Sequence, residues 1–320
     1  MKKIRTAVVG VGYLGRFHAQ KYASLQQCEL VGVADSDPDR AKEIAASLGT
    51  KAFSDYRDLI GKVDAVSVVV PTSMHHEVGS FFLNNGVHLL MEKPITTTLA
   101  EARDLIAIAA DRNLVLQVGH LERFNPALQA ATARIVKPGF IDAARVAPYK
   151  PRATDVSVIL DLMVHDLDII CTIFNSRVKS VSASGAMVYS PTPDIANARI
   201  EFESGAVANV TASRVSLQSD RSMKVFQQDA CITVDFQNRK ATVYSKGHGL
   251  NAVGTPEVLV EAVDVPQQDQ ILAEIESFIA SIATGSRAAV TGEDGMRALE
   301  LALMVEEQIS RNLAVLQAGA

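Results

Sequence analysis

The chain has 320 residues, and its 31 lysines and arginines against 36 aspartates and glutamates give a formal net charge of -5. This balance argues against nucleic acid or an anionic membrane as the main partner, and no apolar run approaches the roughly 20 residues that span a bilayer. The length suits two globular domains. The cysteines Cys28, Cys171 and Cys231 lack metal-site or disulfide spacing, which favours a reducing, cytoplasmic location.

Apolar strands and helical stretches alternate along the first part of the chain. The predicted strands are Ile4–Val9, Glu29–Ala34, Ala65–Val70, Val87–Met91 and Leu114–Val118. The predicted helices are Leu14–Ser24, Pro38–Leu48, His75–Asn84 and Leu99–Asp111. This alternation predicts an α/β Rossmann domain with a parallel, doubly wound sheet, and we place it at residues 1–121.

The pattern changes after Gly119, where strands begin to follow one another without helices between them. The predicted elements are the helix Pro126–Ile135, the strand Phe140–Ala147, the long helix Val156–Phe174, a run of strands from Val178 to Val263, and the helices Gln267–Ala283 and Asp294–Arg311. Such a run of strands predicts an α+β domain with a large, mostly antiparallel sheet over residues 122–320. We expect the active site between the two domains.

A glycine motif, Gly10-Val11-Gly12-Tyr13-Leu14-Gly15, separates the first strand from the first helix. In this context Gly10 permits a tight turn, Gly12 lets a pyrophosphate approach the backbone, and Gly15 allows the helix to pack closely on the strand. The N–H groups at the helix start then favour the negative phosphates. The motif predicts a dinucleotide site.

Asp35 ends the second strand twenty positions after Gly15, where a carboxylate binds the ribose hydroxyls. A carboxylate there repels the additional phosphate of NADP, so the sequence favours NAD. Arg40 is the nearby cation, and its position suits either a solvated helix residue or a group that stacks on the adenine.

Three further segments carry a family resemblance: Pro71-Thr72 with His75, Glu92-Lys93-Pro94, and Asp161-Leu162-Met163-Val164-His165. With the glycine motif, they resemble the glucose–fructose oxidoreductase / inositol dehydrogenase / MocA family over essentially the whole chain. The resemblance implies an NAD-dependent dehydrogenase that acts on CH–OH groups. It also implies a set of cofactor-binding residues: Gly10, Gly12, Tyr13, Leu14, Gly15, Asp35, Arg40, Pro71, Thr72, His75, Glu92 and Lys93.

The resemblance implies that Lys93, Asp161 and His165 are the catalytic residues. Lys93 follows a strand at the carboxyl edge of the parallel sheet, where open α/β sheets bind ligands. Asp161 and His165 are four residues apart, so on an α-helix they share one face. Either Lys93 or His165 suits the role of base, while Asp161 orients the substrate or tunes the histidine.

The segment 119–126 and the residues around His165 are more similar to the branch of the family that oxidises nucleotide-linked amino sugars. This implies oxidation of carbon 3 of a UDP-linked N-acetylhexosamine. The implied substrate-binding residues are Arg123, Asn125, Lys150, Arg152, Asp161 and His165. Lys150 and Arg152 suit either a diphosphate or an ordinary solvated loop. The glycines that many members carry just before Asp161 are absent from residues 156–160, so the substrate pose of other members does not transfer.

Two alternatives remain at this stage: a dehydrogenase of a free polyol such as inositol, and a non-catalytic NAD-binding sensor or scaffold. His75-His76 lacks a third metal ligand at useful spacing, so we expect no metal and assign His75 to a helix cap beside the cofactor. Small apolar residues in strands such as Ala206–Val210 favour a homodimer or homotetramer built through the second domain's sheet.

Overall fold

Buried strands that alternate with helices give the first part of the chain its parallel sheet. The computed structural model describes residues 3–150, 156–250 and 253–318. The strands are β1 Ile4–Val9, β2 Cys28–Ala34, β3 Lys51–Phe53, β4 Ala65–Val68, β5 His88–Glu92, β6 Leu116–Gly119, β7 Phe140–Val146, β8 Val178–Ala186, β9 Ile195–Phe202, β10 Val207–Ser213, β11 Asp220–Gln227, β12 Ala230–Asp235, β13 Lys240–Leu250 and β14 Pro256–Val263. The helices are α1 Gly15–Ser24, α2 Pro38–Leu48, α3 His75–Asn84, α4 Leu99–Asp111, α5 Pro126–Thr132, α6 Val164–Phe174, α7 Gln270–Thr284 and α8 Gly292–Ala318.

The chain forms two compact units, which differ from the predicted domains in one segment. The first unit contains residues 1–121 and 269–299, and the second contains residues 122–268 and 300–320. The segment 269–299, predicted with the second domain, therefore belongs to the first unit. Its helix α7 places Ile275 and Phe278 in the same apolar core as Ala19 and Tyr22 of α1. Local sequence patterns predict that α7 is an amphipathic helix but not which sheet it covers.

The sheet of the first unit has the strand order β3-β2-β1-β4-β5-β6, and its recorded strand pairings are parallel. This is the order of a dinucleotide-binding Rossmann fold, and the prediction of that fold is confirmed. Every residue of β4 and β6 is buried, because helices cover both faces. Strand β3, with only three residues, was not predicted.

The second unit contains an eight-stranded sheet in the order β14-β13-β12-β11-β7-β10-β9-β8. Among the strand pairs of the described residues, only β7 and β10 are parallel, so the prediction of a mostly antiparallel sheet is confirmed. Burial alternates along β9 and β10, as expected for a sheet with one covered face. Ala208 and Val210 are fully buried in the unit's own core. These two side chains therefore face the core of their own unit, and a homodimer or homotetramer built through this sheet stays a prediction.

The predicted long helix Val156–Phe174 is interrupted. Residues Ile159–Met163 form a π-helical turn, and the α-helix α6 begins only at Val164. Such π turns are short and are frequently found at functional sites. Elsewhere, among the described residues, no helix is both long and apolar enough to cross a membrane.

Candidate functional site

The glycine loop after β1 is held by a close contact between two backbone segments. Gly10 has a φ of +86°, and a Cβ on it would lie 2.5 Å from the carbonyl oxygen of Val69. A Cβ on Gly15 would lie 1.8 Å from the carbonyl oxygen of Gly10. A Cβ on Gly12, by contrast, meets nothing within 4 Å. Gly10 and Gly15 are therefore required by packing, whereas Gly12 borders open space that a ligand can occupy.

A cavity of 580 Å³ lies at the carboxyl ends of β1, β2 and β4. Its lining includes Gly10, Gly12, Asp35, Arg40 and Pro71. These ends meet where the strand order reverses, which is the usual ligand position in an open parallel sheet. The structure thus brings together part of the predicted cofactor set within one unit.

Asp35 is buried at the edge of this cavity and is held by backbone donors. The N–H of Val11 donates to its Oδ2 at 2.8 Å, and the N–H of Asp37 donates to its Oδ1 at 2.9 Å. Arg40 approaches Asp35 at 3.4 Å and Asp37 at 3.2 Å. The carboxylate is therefore fixed in orientation beside the cavity, and Arg40 is an ion-pair partner that also lines it.

Sequence reasoning missed the side of the cavity formed after β3. Ser54, Asp55, Tyr56 and Arg57 line it there. Arg57 pairs with Asp55 and with Glu77, both at 3.4 Å. The sequence signal for this strand is weak, because β3 has only three residues and the first two are exposed.

His75 connects the loop after β4 to the loop after β5. It is the first residue of α3, it is buried, and its ring nitrogens lie 2.9 Å from the carbonyl oxygens of Val70 and Pro94. Burial lowers the pKa of His75, although both carbonyls favour the charged ring. A neutral imidazole donates to only one of the two carbonyls. The contact nevertheless ties Pro94, and with it the neighbouring Lys93, to the end of β4. Thr72 lies in the short 3₁₀ turn that directly precedes His75.

Glu92 and Lys93 stand at the end of β5. Glu92 is buried, and its Oε2 accepts a hydrogen bond from the backbone N–H of Lys93 at 3.1 Å. A Cβ on Gly119, at the end of β6, would lie only 2.9 Å from Glu92 Oε1. Lys93 itself is half-buried. Glu92 is therefore an internal group that anchors the backbone of Lys93, and it is not one member of a surface ion pair.

In the second unit, Asp161 lies in the π-helical turn and His165 is the second residue of α6. Both side chains are half-buried. Residues Ile159–Met163 have π-helical rather than α-helical geometry, so the spacing of four does not by itself fix how the two side chains face each other. That Asp161 and His165 share one face stays a prediction.

Two guanidinium–carboxylate pairs, one of them fully buried, hold the helix that carries His165. Arg145 on β7 donates to both carboxylate oxygens of Asp166, at 2.8 and 2.9 Å, and to Glu122 at 2.7 Å. Arg123 donates to both oxygens of Asp168, at 2.6 and 2.9 Å. Such bidentate pairs fix orientation as well as distance. They constrain the helix position just beyond His165.

Burial disfavours the charged forms of Arg145 and Asp166, whereas the ion pair between them favours those charged forms. Burial raises the pKa of Asp166, while the guanidinium of Arg145 acts to lower it. For Arg145 the order of effects reverses: burial acts to lower its pKa, but Asp166 and Glu122 raise it overall. We therefore describe Arg145 as a charged group. The sequence contained no local signal for Arg145, whose partners lie more than 20 residues away in the chain.

The predicted substrate ligands of the second unit lie in different surroundings. Arg123 is engaged with Asp168, and buried Asn125 caps α5 and donates to Glu122 and to the carbonyl of Phe236. These are structural contacts, and a substrate role for either residue stays a prediction. Lys150 is exposed, and Arg152 lies outside the described residues.

Within the described part of the chain, the buried side chains of His18, Glu92 and Glu274 converge. The pair His75-His76, considered from the sequence, does not act together. His76 forms a 2.7 Å contact with Asp104, while His75 bonds backbone carbonyls.

Comparison with known proteins places these features in a family. Residues 4–120 match the model of an oxidoreductase family with an NAD-binding Rossmann fold, and residues 131–233 match the GFO/IDH/MocA C-terminal domain. The UDP-N-acetylglucosamine 3-dehydrogenase of Acidithiobacillus ferrooxidans is 43% identical over 306 residues, which cover 95% of this chain and 97% of that protein. The chain belongs to the Gfo/Idh/MocA oxidoreductase family.

Other members of the Gfo/Idh/MocA family are similar over comparable lengths. A solved structure of the A. ferrooxidans enzyme superposes with a TM-score of 0.90 at 41% identity, covering 97% of this chain and 98% of that one. The scyllo-inositol 2-dehydrogenase (NAD(+)) of Bacillus subtilis is 28% identical over 98% of this chain and 96% of that protein. A scyllo-inositol dehydrogenase from Lactobacillus casei has a TM-score of 0.82 at 22% identity, over 97% and 98% of the two chains, and supports the fold alone.

The protein is thus an oxidoreductase of the Gfo/Idh/MocA family, and its cofactor is NAD. The residues that line the cavity of the first unit fit NAD. The open space at Gly12 admits a pyrophosphate, and Asp35 lines the same cavity at the position of a ribose ligand.

The geometry of the glycine loop predicts that two alanine substitutions impair different properties, one the folding stability and the other the affinity for NAD. Gly15→Ala forces a Cβ into the carbonyl of Gly10 and should lower the free energy of unfolding by about 2–3 kcal/mol or more. Gly12→Ala should leave the melting temperature nearly unchanged and weaken NAD binding by about tenfold, because the methyl group enters the ligand's space. Thermal denaturation and calorimetric titration with NAD measure the two effects. Equal losses of stability in both variants would contradict this assignment.

Proposed function

We propose that the protein oxidises a ring hydroxyl of a nucleotide-linked amino sugar to a ketone, specifically carbon 3 of a UDP-linked N-acetylhexosamine. The observation that carries this proposal is the 43% identity, over 95% of the chain, with a UDP-N-acetylglucosamine 3-dehydrogenase. The inositol dehydrogenases match over similar lengths at 26–28% identity. A free polyol is therefore the second candidate substrate.

NAD held in the cavity beside Gly12 and Asp35 would supply the acceptor for the hydride of the carbinol carbon. The protein must then position that carbon and take up the hydroxyl proton. We assign Lys93 to the reacting hydroxyl, where an ammonium group stabilises the negative charge of the alkoxide and a neutral amine accepts the hydroxyl proton. The support is its location at the end of β5, with its backbone held by Glu92 and its neighbour Pro94 held by His75.

His165 is the second acid–base candidate, and Asp161 is the residue that orients the substrate or the imidazole. Support for His165 comes from the two bidentate pairs at Asp166 and Asp168, which fix the helix on which it lies. A group that transfers a proton must be held within hydrogen-bond reach of its target, so this anchoring is what the role requires. Which of Lys93 and His165 is the base stays open.

A feature of the second unit supports a nucleotide-linked substrate over a free polyol. Tyr149 and Tyr189 form an edge-to-face pair with ring centroids 5.0 Å apart, and both are exposed. Lys150 follows Tyr149 directly, and Arg152 is two residues further on. Exposed aromatic rings beside cations suit a base and a diphosphate, whereas a free polyol has no use for either.

The substrate proposal is tested by a screen of nucleotide sugars and polyols. We expect NADH absorbance to appear with a UDP-N-acetylhexosamine, together with a product that mass spectrometry finds lighter by two hydrogens. Turnover of inositol with no response to any nucleotide sugar would establish the alternative. UDP alone should compete with the substrate, and a failure of UDP to bind would contradict the phosphate-binding role of Lys150 and Arg152. If none of the candidate substrates leads to reduction of NAD, the result favours a non-catalytic sensor.

Replacing Lys93 tests the catalytic assignment. Lys93→Met should lower kcat by about 10²–10⁴-fold, because the group beside the reacting oxygen is lost, while NAD still binds in calorimetric titration. The matched control is Lys42→Met, whose side chain is 72% exposed on α2, and it should retain wild-type turnover. Near wild-type kcat in Lys93→Met would remove the residue from the catalytic set.

The homodimer or homotetramer also remains a proposal, now supported by a different surface. Strand β14 at the edge of the second sheet exposes Val258, Leu259 and Val260, and an exposed apolar edge strand favours pairing with another copy. A cytoplasmic location stays a prediction from the cysteine pattern.

A further inference from the structure

Three ionisable side chains meet inside the first unit, away from the cavity at Gly12. His18 comes from α1, Glu92 from β5 and Glu274 from α7, and all three are buried. His18 Nε2 lies 3.4 Å from Glu92 Oε1, and one ligand atom of each residue lies within 4.8 Å of the others. Both carboxyl oxygens of Glu274 are inaccessible to solvent and have no hydrogen-bond partner in the structure.

The surroundings of the group restrict how these side chains can move. His18 Nδ1 lies 3.2 Å from the hydroxyl of Ser67, which also lies 2.8 Å from the Tyr22 hydroxyl. The side-chain amide of Gln117 donates to the backbone carbonyl of Glu274 at 3.0 Å. Gly119 leaves just enough space for the Glu92 carboxylate. The group is therefore held from α1, β4, β6 and α7.

Charge decides the protonation state of this group. Two ionised carboxylates in a buried site repel each other and lose hydration, so one of them must take a proton or a cation. Burial, with a further contribution from Glu92, raises the pKa of Glu274 well above its ordinary value. Glu92 already accepts a hydrogen bond from the N–H of Lys93, which suits a carboxylate. Glu274 is the better carrier of the proton.

We propose that Glu274 is a positioning residue: as a neutral carboxylic acid it faces the Glu92 carboxylate and, with His18, holds Glu92 in the orientation that anchors Lys93. One of its oxygens lies within 4.8 Å of a Glu92 oxygen, a distance that one bridging water spans. The protonation state of Glu274 depends on the residues of this chain and not on the identity of the substrate. Only the consequence for turnover rests on the proposed role of Lys93.

The sign of the pH dependence follows from linkage. The unfolded chain releases the Glu274 proton above about pH 4.5, its ordinary value, whereas the folded chain retains it. Unfolding therefore releases a proton over this range, and wild-type stability falls as pH rises toward the folded-state pKa. The titratable groups that face Glu274 are Glu92 from β5 and His18 and Tyr22 from α1. Gln117 from β6 does not titrate.

The test compares wild type with Glu274→Gln, which retains the size and a donor but not the titration. Melting temperatures are measured between about pH 5 and about pH 8, and Glu274→Gln should gain stability relative to wild type as pH rises. Glu276→Gln, an exposed position on the same helix, is the matched control and should follow wild type. A gap between wild type and Glu274→Gln that is constant, or that shrinks with pH, would overturn the proposal, and this result needs no substrate.

Turnover and metal content separate positioning from other roles. Glu274→Gln should keep kcat within about threefold, whereas Glu274→Leu should lower kcat by about tenfold or more with little change in the Kd for NAD. If Glu274→Leu does not fold, the Glu274→Gln series still decides. A divalent cation bound by wild type and released by Glu274→Gln, detected by elemental analysis, would also overturn the proposal, because a metal needs both carboxylates ionised.

Discussion

The space between the backbones of Gly10 and Val69 is so narrow that no side chain fits there, and the site of the first unit depends on it. Strands β1 and β4 are parallel neighbours in the sheet, so their carboxyl ends emerge side by side. The chain then turns away on opposite sides of the sheet, which opens the crevice where ligands bind. Gly12, Asp35 and the loop after β4 become the walls of one cavity.

The same arrangement determines where the chemistry can lie. Strand β5 is the next neighbour of β4, so Glu92 and Lys93 emerge one strand away from the cofactor crevice. Lys93 directly follows Glu92, the last residue of β5. His75 fixes the loop through Pro94, and Glu92 accepts the N–H of Lys93. The buried group around Glu274 in turn supports Glu92. In the second unit, Arg145 and Arg123 have the corresponding role for the helix of His165.

The sequence predicted most clearly the features that depend on local constraints. The glycine spacing, the acid at the end of β2 and the buried strands each follow from what a short segment of backbone can do. Features that depend on contacts distant in sequence were missed. In the sequence, Arg145 is a single charged residue in a strand, and its role becomes visible only in the fold, where Asp166 and Glu122 lie beside it. In the same way, Glu274 is an ordinary helix residue in the sequence, and its role depends on the packing of α7 against the first sheet.

Two structural details were not determined by the local sequence pattern. The pattern of residues 156–174 is apolar and helical in period, but it does not distinguish an α turn from the π turn at Ile159–Met163, since the two differ by one residue per turn. Composition identified Ala208 and Val210 as small and apolar, but the alternation of the strand turns both into the unit's own core. Composition alone does not determine direction.

The ends of β1 and β2 form a site for NAD, with the Asp35 carboxylate at its edge. Calorimetric titration of the protein with NAD and with NADP under identical conditions tests this assignment. NAD should bind at least about tenfold more tightly, a difference of about 1.4 kcal/mol, because the carboxylate repels the additional phosphate. Equal affinities, or tighter binding of NADP, would contradict it.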